Sequence, residues 1–178
     1  MTDKLQQRLL ESALNGSVVS FGELYGSYYN AMRAIAYAVL TDHHLAEDAA
    51  QETFTRALQG LEKLKHKERF GVWLGAICRN VARDMAKAQS RQSRFEGETQ
   101  EQCSPAETSD SLAVSKAINK LSPSGKELVV LRYYNQLSYK QMSAVLGLSK
   151  AAINNRLVRA RRKLAQHLRR DGYGEVQL

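Results

Sequence analysis

Eight cations crowd the stretch from Lys150 to Arg170: Lys150, Arg156, Arg159, Arg161, Arg162, Lys163, Arg169 and Arg170, with no acidic residue before Asp171. Single-sign charge at this density repels itself and is offset by a polyanion, so the chemistry it suits is phosphate binding. Bond making is not indicated, because no nucleophile, base and acid recur at a spacing that would assemble a catalytic group. Formal net charge is +8 over 178 residues, which again fits a nucleic acid or an anionic surface as partner.

Presenting those cations on one face requires a helix, and the surrounding residues specify one. Ile153, Leu157, Ala160, Leu164 and Leu168 recur at three- and four-residue steps, a stripe that turns inward while the cations turn outward. Ser149 is placed to cap this helix. A shorter helix precedes it. Ser138 with Gln141 three residues on forms a capping-box pattern, Met142, Val145 and Leu146 supply an apolar face, and Gly147 offers the positive φ that ends a helix at low cost. Helix, glycine turn and basic second helix are the parts of a helix-turn-helix, whose second helix enters the major groove.

The rest of the chain reads as all-α. Two prolines and few alternating β-branched segments argue against sheets. A short amphipathic helix is expected over residues 2–15 (Leu5, Leu9 and Ala13 inward), closed by Gly16-Ser17. A second starts at Ser20, with Glu23 completing a capping box, and carries the stripe Phe21, Leu24, Tyr28, Met32, Ile35 and Val39 until Thr41-Asp42 breaks it. A third runs over residues 45–61 with Leu45, Ala49, Phe54, Leu58 and Leu61 inward and Asp48, Gln51, Glu52 and Thr55 outward. Residues 62–69 (EKLKHKER) read as a basic loop. The fourth helix spans residues 70–91, with Phe70, Trp73, Leu74, Ile77, Val81 and Met85 packed and Asn80, Arg83, Lys87 and Arg91 as an outward row. Trp73 shares the phase of Ile77 and Val81, which favours packing over base stacking.

Composition changes at Gln92. Residues 92–111 are polar, acidic after Arg94 and poor in core-forming side chains, so they read as a flexible linker between two small helical domains, residues 1–91 and 112–170. In the second domain Leu112, Val114, Ala117, Ile118 and Leu121 resume a helical pattern. Ser122-Pro123 then opens a helix carrying Leu128, Val129, Leu131 and Tyr134. Residues 171–178 (DGYGEVQL) form a tail expected to fray.

Other signals resolve into structure. PSGKE fails as a phosphate loop, because Lys120 stands where its first glycine belongs and Glu127 where its hydroxyl belongs. His43-His44 lack the spacing of a metal site, and no metal or cofactor is expected. Two cysteines, Cys78 and Cys103, fit a reducing cytoplasm better than a disulfide framework. No run of eighteen apolar residues occurs, and MTDKLQQRLLE lacks the basic start and apolar core of a signal, so membrane insertion is not expected.

Two motifs in the front half gain meaning beside the basic rear. DAAQETF (Asp48 to Phe54) followed by FGVWLGAICRN (Phe70 to Asn80) resembles region 2 of bacterial RNA polymerase sigma factors. LSPSGKELVVLRYYNQLSYKQMSAVLGLSKAAINNRLVRARRKL resembles their region 4. A chain holding these two regions in this order is similar to the extracytoplasmic-function (ECF) group. The resemblance implies a core polymerase contact, on the β′ clamp helices, at Asp48, Gln51, Glu52 and Thr55, with a second contact on the β flap. Phe70, Trp73, Leu74, Ile77, Arg79, Asn80 and Asp84 match the helix at the −10 element, and residues 62–69 match the segment that receives a flipped base. The −10 contacts it implies are Lys63, Lys65, Lys67, Arg69, Arg79, Asn80, Arg83 and Lys87. The −35 contacts are Ser149, Lys150, Asn154, Asn155, Arg156, Arg159, Arg162 and Lys163. One departure stands out. Where the family commonly has Thr-Val-Lys-Ser, this chain has Ala152, Ile153, Asn154 and Asn155, exchanging a hydroxyl and a charge for two amides that can pair with adenine edges.

The expectation is therefore a cytoplasmic, non-enzymatic sigma factor that binds core RNA polymerase and promoter DNA and answers to an anti-sigma factor. A sigma-like decoy that only occupies an anti-sigma regulator is the alternative. A repressor dimerising through residues 20–85 fits less well, since the carboxylates of DAAQETF would need buried partners in such an interface.

Overall fold

The computed structural model describes residues 3–96, 109–171 and 173, and all regular structure among them is helical. Four front helices, α1 (Asp3–Leu14), α2 (Val18–Leu40), α3 (His43–Gly60) and α4 (Phe70–Glu96), pack around Leu10, Leu24, Met32, Ile35, Phe70 and Leu74, each fully buried. Four rear helices follow: α5 (Ser109–Asn119), α6 (Pro123–Val129), α7 (Tyr139–Leu146) and α8 (Lys150–Arg170).

Helix starts follow local side-chain chemistry. Ser17 caps α2 by accepting from the Ser20 N–H, so the cap lies three residues before the expected Ser20 and the helix begins at Val18. Asp42 caps α3 by accepting from the Leu45 N–H at 2.8 Å. Between them Thr41 takes φ 57°, the left-handed turn that separates the two helices. Val39, expected inward, is partly exposed, as is Leu5 in α1, where Leu10 takes the central place.

In α3 the inward face consists of Ala46, Ala49, Ala50, Thr53, Phe54 and Ala57. Leu58 is not part of it: the side chain is 55% exposed. Small residues let α3 lie close to α2, and Phe54 fills the space beside Tyr25 (ring centroids 4.5 Å apart) and edge-on to Phe21. The expected loop over residues 62–69 contains two short 3₁₀ turns, Leu61–Lys63 and Lys67–Arg69. Helix α4 continues five residues beyond Arg91, so Gln92–Glu96, expected as linker, are helical. Residues 97–108, the middle of that stretch and the site of Cys103, lie outside the described residues.

In the rear half Ser122 caps α6 by accepting from the Gly125 N–H. The helix does not simply run on to Asn135. From Val130 to Tyr134 it widens into a π turn in which the Asn135 N–H donates to Val130 C=O, five residues back. Gln136 then adopts φ 52°, and Arg132 donates to Leu137 C=O across the bend. Tyr134 points outward, against Tyr37 of the front half. Beyond α8, Asp171 pairs with Lys120 at 2.9 Å and the Tyr173 N–H donates to Leu168 C=O, so the first residues of the expected tail are fastened.

The two halves are packed against each other. One apolar cluster runs from Leu24, Tyr28, Phe70 and Leu74 through Leu128, Leu131, Met142, Val145, Ile153 and Leu157. A smaller cluster of Ala117, Ile118, Leu121, Val129, Leu164 and Leu168 joins α5 to the end of α8. Two consequences are testable. Ser138→Ala removes a cap seen in both directions, so it is expected to lower unfolding stability by about 1 kcal/mol in denaturant titration. Cys78 is fully buried with its thiol donating to Met32 C=O, and burial pushes its pKa up to about 11. In a Cys103→Ser chain this thiol is expected to react with a disulfide reagent only at the rate of unfolding.

Candidate nucleic-acid interface

The helix-turn-helix forms as the capping pattern requires. Ser138 Oγ accepts from the Gln141 N–H, and Gln141 Oε1 accepts from the Ser138 N–H at 2.9 Å. Gly147 ends α7 at φ 68°, and Ser149 Oγ accepts from the Ala152 N–H to start α8. Ile153, Leu157, Ala160, Leu164 and Leu168 are all buried, which fixes the rotation of α8 about its axis. Lys150, Asn154, Asn155, Arg156, Arg159, Arg162 and Lys163 are consequently exposed together. Among the described residues no carboxylate lies within ion-pair distance of Lys150, Arg156, Arg159, Arg162 or Lys163. Ser149 is also exposed, with its oxygen engaged in the cap.

The two asparagines differ. Tyr139 OH donates to Asn154 Oδ1 at 3.2 Å, and Arg132 lies over the Tyr139 ring, 5.3 Å from its centroid. Asn154 is thus oriented from behind by α7, whereas Asn155 projects outward with no such tether among the described residues. Beside them Arg156, Arg159 and Lys163 rim a concavity whose far wall is Ser122 and Ser124. Ser124 did not stand out in the sequence, because its neighbourhood exists only once α6 lies against α8.

On α3, Asp48, Gln51 and Thr55 share an exposed face, while Glu52 at its edge is half-buried and receives Arg56 at 2.7 Å. Leu58 extends that face. It lies seven residues beyond Gln51 and hence in nearly the same helical phase, a signal that was present in the sequence but outweighed by its apolar type.

The third group is divided. Lys63 and Arg69 are exposed on the two short turns and Lys65 between them, and Lys67 reaches Glu11 at 3.4 Å. Asn80, Arg83 and Lys87 form an exposed row along α4, with Asp84 near Arg56. Arg79 is held apart from that row. Its guanidinium makes a two-nitrogen contact with Glu127 of α6, at 2.9 Å from Nε and 2.8 Å from Nη2, with both side chains mostly buried. Nothing in the sequence singled out Glu127 for this role, since the pair spans 48 residues. Trp73 is half-buried against Phe70, the ring centroids 5.9 Å apart. No group of three or more His, Cys, Asp or Glu among the described residues is arranged to hold a metal, and no described helix is long and apolar enough to cross a membrane.

Comparison with known proteins places these features in one family. Residues 24–92 match the family described as Sigma-70 region 2, and residues 111–164 match Sigma-70, region 4. The chain is 32% identical over 174 residues to the ECF RNA polymerase sigma factor BldN of Streptomyces coelicolor, a match covering 90% of this chain and 64% of BldN. It is 30% identical over 161 residues to the RNA polymerase sigma factor YlaC of Bacillus subtilis, covering 84% of this chain and 92% of YlaC. Some curated relatives are longer: the chain spans 44% of the probable RNA polymerase sigma factor RfaY of Xanthomonas campestris pv. campestris, at 31% identity and with 93% of this chain aligned. Among solved structures, CnrH in complex with the cytosolic domain of CnrY matches with a TM-score of 0.63 at 26% identity, covering 94% of this chain and 99% of that one. With both regions matched in order and a relative aligned over nearly its whole length, the chain belongs to the ECF group of the sigma-70 family of RNA polymerase sigma factors.

Proposed function

We propose that this chain binds core RNA polymerase and directs it to specific promoters, acting by binding alone and in the cytoplasm. The observation that carries this reading is the pairing of two separate surfaces in one chain. One is the exposed face of α3 built from Asp48, Gln51, Thr55 and Leu58; the other is the cationic face of α8, on which Lys150, Arg156, Arg159, Arg162 and Lys163 have no carboxylate within ion-pair distance among the described residues. A DNA-binding repressor needs only the second.

In this reading α3 seats on the β′ clamp helices, with Leu58 adding an apolar contact at the edge of the polar face, and the rear half meets the β flap. Lys63, Lys65, Lys67 and Arg69 hold the displaced strand at the −10 element by charge, and Asn80, Arg83 and Lys87 line its path along α4. The first turns of α8 read the −35 element through Asn154 and Asn155, while Arg156, Arg159, Arg162 and Lys163 bind phosphates. Ser122 and Ser124 face the same concavity as Arg156, Arg159 and Lys163 and supply hydroxyl donors to a phosphate there. An anti-sigma factor is a fitting partner, since a structural relative, the sigma factor RpoE from Bartonella quintana, is found in complex with the anti-sigma factor NepR.

Run-off transcription tests the proposal. Core polymerase with this chain is expected to give discrete transcripts from a subset of fragments of the encoding genome, none of which core polymerase alone produces. No promoter-specific transcript, together with tight binding of an anti-sigma regulator, would support the decoy instead.

A further inference from the structure

We infer that Tyr139 sets which bases the recognition helix accepts at Asn154. By holding Oδ1 it turns the amide into a donor-only reader of guanine or thymine that discriminates against adenine. The inference rests on the promoter-binding reading above and adds the class of base that one of its side chains selects.

An asparagine side chain carries one acceptor and two donors. Its bidentate pairing with adenine uses both kinds: Oδ1 accepts from N6–H while Nδ2 donates to N7. Which end of the amide faces the groove therefore decides the base. Asn154 is exposed near the start of α8, and its Oδ1 accepts from Tyr139 OH at 3.2 Å. Nδ2 takes the other branch of the amide, away from that hydroxyl, and has no hydrogen-bond partner among the described residues.

A phenol can donate or accept, and here its polarity is set from behind. Arg132 lies over the Tyr139 ring, 5.3 Å from its centroid. A cation on the ring face draws electron density from the phenol, which strengthens the O–H as donor and weakens the oxygen as acceptor. Tyr139 accordingly meets the oxygen end of the amide and not the N–H end. Arg132 is itself held, since from within the π turn (Val130–Tyr134) its Nη1 donates to Leu137 C=O at 3.0 Å. Tyr139 is the first residue of α7, fixed by the capping box of Ser138 and Gln141. Both Arg132 and Tyr139 are half-buried, so the relay is supported from beneath the exposed face of α8.

Adenine presents an acceptor at N7 and a donor at N6, and that donor would meet an N–H of Asn154. Guanine presents acceptors at N7 and O6, and thymine presents one at O4, so either satisfies the outward N–H groups. Cytosine presents only the N4 donor. Asn155 has no such tether among the described residues and keeps both amide atoms for adenine. Two adjacent asparagines thereby read different bases.

Selection of promoters from a library randomised over the −35 element, with holoenzyme containing the full chain, tests this. The position read by Asn154 is the one whose preference Asn154→Ala removes. There the parent should take guanine or thymine over adenine by about tenfold, and the selected sequences show which of the two. Tyr139→Phe frees Oδ1 and should bring adenine to within about twofold, while the position read by Asn155 stays unchanged. Arg132→Gln should loosen the same preference, and Arg132→Lys, which keeps the cation, should retain it. If Arg132→Gln loses helical circular dichroism, Tyr139→Phe decides the matter. Three results would overturn the base assignment while promoter selection stands: adenine preferred at that position, Tyr139→Phe keeping the parent's discrimination, or Asn154→Ala altering no position. A holoenzyme that selects no −35 sequence at all would instead overturn the promoter reading, and the base assignment with it.

Discussion

Asp48→Arg is expected to weaken binding to core polymerase by an amount on the order of several kcal/mol, roughly a hundredfold or more in Kd, with the fold intact. Asp48 is exposed on α3 and makes no ion pair among the described residues, so its replacement removes no internal contact. The inward face of the helix, from Ala46 to Ala57, is untouched. In the proposed seating of α3 on polymerase, the loss arises from a like charge brought into an interface that the carboxylate complements. Gln51→Arg should act in the same direction, and Leu58→Ala should cost less, by an amount set by the apolar area it buries on the clamp. Binding is measured by competition against a labelled parent chain, with circular dichroism and thermal melting as controls. Parent-like affinity in both arginine variants would move the polymerase contact off α3.

In the recognition helix, replacing amides and replacing cations should have different signatures. Asn155→Ala is expected to change which −35 sequences are preferred, by about 1–3 kcal/mol at the affected position, because a free amide can pair bidentately with an adenine edge. Asn154→Ala should act more weakly, since Tyr139 already engages Oδ1 and leaves the amide nitrogen as the main contact. Removing that tether with Tyr139→Phe should blur the same position without abolishing binding. Arg162→Ala, by contrast, should weaken all promoters about equally and lower the salt slope by about one phosphate. The measurement is holoenzyme binding to a library of −35 variants at two salt concentrations. If both asparagine variants kept the parent preference, readout would pass to Lys150 and Arg156, the next exposed side chains on that face.

The helix-turn-helix was readable because its signals are local. Ser138, Gln141, Gly147 and Ser149 each act within four residues, and the stripe from Ile153 to Leu168 is strictly periodic. Local signals failed where two compete. Ser17 displaces Ser20 as the cap of α2, and Leu58 is apolar by type while its phase follows the exposed Gln51. What could not be read is whatever depends on the rear half meeting the front. Gly71 and Gly75 look like weak points in a helix until Ala144 and Val145 carbonyls arrive against them. Arg79 belongs by motif to the −10 set, yet its observed partner is a glutamate from another helix. Long-range pairing carries no periodicity, so it leaves no trace in one sequence.

The claim that the chain directs polymerase to promoters is tested most directly by footprinting a reconstituted complex on a promoter recovered from run-off transcription. With core polymerase and this chain, protection is expected over the −35 element and permanganate-reactive thymines near −10. Neither should appear with core polymerase alone or with the chain alone. Protection at −35 without reactive thymines would show a DNA-binding protein that recruits polymerase but does not open the duplex, and stable polymerase binding with neither signal would contradict promoter direction by this chain.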